Sequence, residues 1–131
     1  MAAKPETRLI ERVHRALSAH VYREKTANPY RGGTPDCYYE RAHNNILWVE
    51  YKYKPTQGRR ILWDEAVTKL CSPKQKLWLE RADDNGVPVA VITGFNDKTI
   101  SITTPSDPEC LGLLFDTRGC ADWIERYDGT Y

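Results

Sequence analysis

Apolar residues recur at three- and four-residue spacing at the start of the chain: Leu9, Ile10, Val13, Ala16, Leu17 and Val21, with Arg and Glu between them. That period predicts an amphipathic helix from Pro5 to about Lys25. Thr26 to Pro35 then carries Asn-Pro, Gly-Gly and Thr-Pro, a density of breakers that ends any helix. Two strands are predicted next, a short Tyr-rich one at Thr34–Arg41 and a strongly alternating one at Ile46–Lys54. His43-Asn44-Asn45 between them reads as a hairpin loop, since Asn tolerates the left-handed conformation. On the second strand Ile46, Trp48, Glu50, Lys52 and Lys54 share one face, and Leu47, Val49, Tyr51 and Tyr53 share the other.

Pro55–Arg60 is a polar loop, and Ile61–Leu70 is ambiguous, read as a short helix. A well-punctuated helix follows. Ser72 stands as N-cap, Pro73 at the first helical position, Gln75 three residues after the cap and Gly86 just past the end. Val87–Thr93 is a nearly continuous apolar run, the signature of a strand buried on both faces. Asn96-Asp97 turns the chain into an alternating strand at Thr99–Thr104. Beyond Pro105 the pattern weakens to a loop, a short strand at Leu113–Phe115 and a helix from about Ala121 to Tyr127. The order α-β-β-α-β-β-(α) predicts an α/β fold with a mixed sheet flanked by helices. The 131 residues suit one domain with one core.

Composition changes this picture little. Lys and Arg number 19 against 18 Asp and Glu, a net charge of +1, so attraction to phosphate has to come from local clusters such as Arg59-Arg60 and Lys69, Lys74 and Lys76. The four cysteines, Cys37, Cys71, Cys110 and Cys120, form no C-x-x-C pair, which argues against a zinc site or a disulfide framework. Met1–Glu6 runs straight into the charged helical pattern without a leader's apolar core, and no apolar run approaches the roughly 18–20 residues of a membrane span. The expectation is an intracellular, cytoplasmic protein with no membrane partner.

The chemistry concentrates at Asp36 and, after thirteen intervening residues, at Glu50-Tyr51-Lys52. Glu50 and Lys52 leave the same strand face, and an odd-numbered hairpin loop brings Asp36 out on that face too. Two converging carboxylates repel unless a cation lies between them. Mg²⁺ or Mn²⁺ suits such oxygen donors, with the Tyr51 main-chain carbonyl as a third. Lys52 orients or helps to deprotonate an attacking water and stabilises charge growing on a phosphoryl group. Metal-assisted phosphodiester hydrolysis follows. Arg31, Lys54, Arg59 and Arg60 are candidate contacts to a polyanionic substrate, or ordinary solvated cations.

Gly33-Thr34-Pro35-Asp36, then Val49-Glu50-Tyr51-Lys52, then Ser72-Pro73-Lys74-Gln75-Lys76-Leu77-Trp78-Leu79 leading to Gly86-Val87-Pro88-Val89-Ala90-Val91, resembles the PD-(D/E)xK nuclease superfamily. More narrowly it resembles the virus-type replication-repair nuclease (VRR-NUC) family, which orders G-x-P-D, E-x-K and S-x-x-Q in this way. The resemblance covers about residues 5–93 of a nuclease domain spanning 1–131, leaving 105–131 as a C-terminal extension. It implies a restriction-endonuclease-like sheet, Mg²⁺ or Mn²⁺ dependence, DNA as substrate, branched or junction DNA in particular, a homodimer, and a bacterial or phage-infected host cell. Family members often add a Glu from the first helix, for which Glu6, in phase with Ile10, Val13 and Leu17, is preferred over Glu11. First-turn Glu is equally explained by the helix dipole. Gln75 corresponds to the family's glutamine, although Ser72-x-x-Gln75 is also a capping box. Lys74 and Lys76 on that turn are candidate phosphate contacts. The rival readings are a nicking or end-processing nuclease of the same fold and a DNA-binding module that does not cut. Leu111–Phe115 and Trp123 are the expected interface material.

Overall fold

The computed structural model describes residues 4–26, 32–41, 45–106 and 114–126. The leading amphipathic pattern forms α1, Pro5–Ala16, with Leu9, Ile10 and Val13 buried. It stops well short of Lys25. Leu17 is already extended (φ −70°, ψ 145°), and the Arg23 guanidinium donates to the carbonyls of His14 and Ser18, each at 2.6 Å. Those bonds satisfy carbonyls that a longer helix would have used. The next residues turn back as a strand, β1, Tyr22–Lys25, antiparallel to β2, Cys37–Arg41. Backbone pairing with an open sheet edge outweighs the helical period here, because local propensity is a weak force beside tertiary contacts.

β2 pairs antiparallel with β3, Asn45–Lys54, in a register running from Cys37 opposite Val49 to Arg41 opposite Asn45. Residues 42–44, most of the expected hairpin loop, lie outside the described residues, but the register makes the connection odd. One step beyond the Cys37–Val49 pair, Asp36 therefore stands opposite Glu50. β4, Val89–Phe95, lies parallel to β3, and β5, Ile100–Thr103, antiparallel to β4, giving a five-stranded sheet in the order β1-β2-β3-β4-β5. The parallel step needs a crossover. It is made by a short helix, α2 (Trp63–Glu65), a π-helical turn at Ala66–Leu70, and α3, Pro73–Asp84.

β4 is buried at every position, as its apolar run requires. Strand parity then sorts the core into two layers. Leu47, Val49, Tyr51, Ala90 and Ile92 pack beneath α1 and α4, Thr117–Arg126. Val89, Val91 and Phe95 pack on the opposite face with Leu79 and Ala82 of α3. The crossover thus delivers the start of α3 to the face that carries Glu50 and Lys52.

β5 is fully buried rather than half-exposed. Ile100 and Ile102 join the first layer. Ser101 accepts from the Ile61 N–H at 3.1 Å, and Thr103 donates to the Ile61 carbonyl at 2.7 Å. Its outer edge is closed by Phe115, which exchanges both backbone bonds with Ile100 at 2.8 Å. Phe115 and Trp123, expected at a subunit interface, therefore pack within the chain against the first layer; residues 111–113 lie outside the described residues. Cys37, Cys71 and Cys120 are buried free thiols. No helix among the described residues is long and apolar enough to cross a membrane.

His14, on α1, is half-buried. Its Nε2 lies 2.8 Å from the Tyr39 hydroxyl, which lies 2.7 Å from the Tyr51 hydroxyl. Burial, then the charges of Arg23 and Lys25, push its pKa down to about 4 from an ordinary 6.5. Between those values the unfolded chain takes up a proton that the folded one refuses, so stability falls as pH drops through the window. Because solvent screens the half-exposed ring, the contribution is about 1–2 kcal/mol. His14→Phe is expected to flatten the acid limb of Tm against pH between 4 and 6.5; an unchanged limb places its origin elsewhere.

Candidate active site

Three segments meet at the second face. β3 contributes Glu50 and Lys52 by parity, the turn before β2 contributes Asp36, and the first turn of α3 contributes Gln75. The turn is set by Gly33, whose φ of +94° favours glycine and whose missing side chain lets the loop lie against the Lys74 carbonyl. A methyl group there would collide with that carbonyl.

Lys52 Nζ sits 3.2 Å from Glu50 Oε2 and donates to Gln75 Oε1 at 3.0 Å. Gln75 Nε2 donates in turn to Glu50 Oε2 at 3.2 Å. Asp36 Oδ2 accepts from the Tyr51 N–H at 2.9 Å. A strand residue's N–H and C=O leave the same edge, so the Tyr51 carbonyl also faces the Asp36 side, beyond the last β2 pair. Gln75 also caps its helix. Its Oε1 also accepts from the Ser72 N–H at 2.8 Å while Ser72 Oγ accepts from the Gln75 N–H at 3.1 Å, a complete capping box.

Glu50 is only 2% exposed. Burial and then the neighbouring Asp36 push its carboxyl up to about 8, against the pull of Lys52. Burial also draws the Lys52 ammonium down, but Glu50 outweighs it and the net shift is upward, with Glu6 adding to it. Glu50 Oε1 is buried with no hydrogen-bond partner, as is Thr93 Oγ1 on β4. Thr93 pairs in register with Lys52 and shares the parity of Val91 and Phe95, so it stands on the site face. An orphaned carboxylate oxygen beside a second carboxylate and a main-chain carbonyl is a donor set that suits a hard divalent ion. Among the described residues no three His, Cys, Asp or Glu side chains converge as a metal centre. Mg²⁺ needs fewer, since it is held by one or two carboxylates and keeps several waters.

The remaining sequence candidates are less tightly gathered. Glu6 is exposed in the first turn of α1, near enough for its charge to act on Lys52. Arg59 is held in a two-pronged pair with Glu65, one arm at 2.9 Å. Arg60 is exposed, and Lys54 and Lys76 are half-buried. The Lys74 side chain lies along Gly32. Arg31 lies outside the described residues. Thr93 escaped sequence reasoning because one hydroxyl at the end of an apolar run carries no signal until the sheet register is known.

No protein-family model and no curated protein matches the sequence. Solved structures resemble the chain nonetheless. One, described as a VRR_NUC domain, superposes with a TM-score of 0.52 at 22% identity, over 72% of this chain and 89% of its own. Another is Hjc, a Holliday junction resolvase from Archaeoglobus fulgidus, with a TM-score of 0.51 at 15% identity, over 88% of this chain and 99% of its own. Such identities speak to fold. The chain has the fold of the VRR_NUC domain and of the archaeal resolvase.

Proposed function

We propose that this chain is a metal-dependent nuclease that hydrolyses DNA phosphodiesters at Asp36, Glu50 and Lys52, with branched or junction DNA as its substrate. The observation that carries this reading is the placement of Lys52 Nζ 3.2 Å from Glu50 Oε2, whose sister oxygen is buried and unpartnered. Asp36, Glu50 and the Tyr51 carbonyl would hold Mg²⁺ or Mn²⁺. When bound, such an ion polarises the phosphate and acidifies a coordinated water.

The upward shift of Lys52 keeps its ammonium charged. That favours donation to the phosphoryl oxygens over removal of a proton from water. Gln75 fixes the separation of Lys52 and Glu50 by bonding both. Glu6 adds negative charge at the margin, and Lys54, Arg60, Lys74 and Lys76 supply positive charge around it for the DNA backbone. A homodimer would give the two sites needed to cut opposed strands. The non-cutting alternative has no need of a lysine held between a buried carboxylate and an amide.

Supercoiled plasmid and a labelled four-way junction, each with Mg²⁺ or EDTA, test the reading. Cleavage is expected only with the ion, and Asp36→Asn should slow it by about 100-fold or more. Cutting that persists in EDTA, or in Asp36→Asn, moves the chemistry away from this cluster. DNA that is bound but never cut identifies a binding module.

A further inference from the structure

The nuclease cluster uses the first turn of α3 and leaves a stripe along the rest of that helix unexplained. Lys74, Leu77, Trp78 and Arg81 recur at three- and four-residue spacing, so they share one side of the helix. With Gly32 they line a groove of about 420 Å³. The groove begins at Lys74, the residue preceding Gln75, and Lys74 to Arg81 spans about 10 Å of helix. Leu77 is 68% exposed, the most exposed large apolar side chain among the described residues.

The groove's Trp78 is backed by an aromatic cluster and faced by a cation. Tyr38 packs on Trp48 with ring centroids 4.8 Å apart, Trp48 meets Trp78 edge-on at 5.2 Å, and the Arg81 guanidinium carbon lies 5.1 Å over the Trp78 ring. Arg81 is otherwise exposed and, among the described residues, has no carboxylate partner; nor has Lys74. No acidic side chain lines this groove. A neighbouring groove of about 470 Å³ shares Leu77 and Arg81 with it and adds Trp63, Glu80, Asp83 and Asp84, whose carboxylates repel an anion on that side. A cationic, apolar track leading away from a phosphodiester site, and closed by carboxylates, matches one chemistry: a nucleic-acid strand with an exposed base.

We infer that this groove binds an unpaired nucleotide of the DNA strand adjoining the cleavage site, with its base stacked on Arg81 over Trp78 and its phosphate on Lys74. The inference rests on the nuclease reading and narrows it to DNA with a single-stranded segment beside the cut. A duplex hides its base faces, so it gains only the phosphate contact at Lys74. An unpaired base can use the guanidinium plane and the exposed Leu77 as a stacking surface.

The test compares a fluorescein-labelled DNA hairpin carrying a short thymidine overhang with the same hairpin blunt-ended, by fluorescence anisotropy in EDTA. The full chain is expected to favour the overhang by about tenfold. Arg81→Ala and Leu77→Ser, both at exposed positions and checked by circular dichroism, should each remove most of that preference. They should leave blunt-end affinity within about twofold. The subsite is overturned if there is no preference, if either variant weakens both DNAs equally, or if Leu77→Ser changes only the sedimentation behaviour, which would make the groove a contact between copies. Lys52-dependent plasmid cutting without overhang preference sinks the subsite alone. Absence of both binding and cutting sinks the nuclease reading with it.

Discussion

Lys52→Ala is expected to slow single-turnover cleavage of a labelled junction by about 10²–10³-fold, the cost of removing one preorganised charge donor from the proposed nuclease site. Binding of the ion should survive. The ammonium lies 3.2 Å from Glu50 Oε2 and competes with a divalent cation for that carboxylate, so its removal should leave Mn²⁺ affinity unchanged or tighter. The split separates chemistry from assembly. Titration calorimetry with Mn²⁺ reads the second half, and quenched-flow or gel kinetics the first. A rate within tenfold of the parent would show that Lys52 is an ion-pair partner and nothing more.

Glu50→Gln should abolish cleavage while making the chain more stable at alkaline pH. The Glu50 carboxyl titrates near 8 in the folded chain against an ordinary 4.5. Between those values the folded state keeps a proton that the unfolded state has released. The stability linked to this group is therefore fully present below 4.5 and lost as pH rises through 8. The loss is on the order of 2–4 kcal/mol. Gln carries no such cost, so the variant should melt roughly 5–10 °C higher than the parent at pH 8 in EDTA. His14 slopes the other way only below 6.5, which leaves the upper part of the range to Glu50. Mn²⁺ should raise the parent's Tm at pH 8 and leave that of Glu50→Gln where it was. A variant that melts lower in EDTA, or that still responds to Mn²⁺, contradicts a strained, ion-seeking carboxylate.

Much of this was legible because parity and punctuation are local. The alternation of Ile46–Lys54 put Glu50 and Lys52 on one face, and Ser72, Pro73, Gln75 and Gly86 marked both ends of α3. The apolar run at Val87–Thr93 announced a strand buried on both sides. What stayed hidden needed a partner to define it. Tyr22–Lys25 reads as more helix until β2 offers an edge, and no pattern in those four residues carries that information. His14 looks like a surface residue until Tyr39, on another element, approaches it. Thr93 becomes a site residue only through its pairing with Lys52. The groove on α3 was invisible for a related reason: an apolar Leu77 on a helix gives no sign by itself that it points to solvent.

The capping box on α3 has a consequence for how much of the protein is competent at any moment. One side-chain amide both closes the helix's first turn through Ser72 and bridges Lys52 to Glu50. Fraying of that turn, the commonest local opening in a helix, therefore dismantles the cluster as it begins. The free energy that holds a few terminal residues helical is thereby also the free energy that sets the armed fraction of molecules. Natural variation at Ser72 or Pro73, which bond neither Lys52 nor Glu50 directly, would tune activity through population rather than through chemistry.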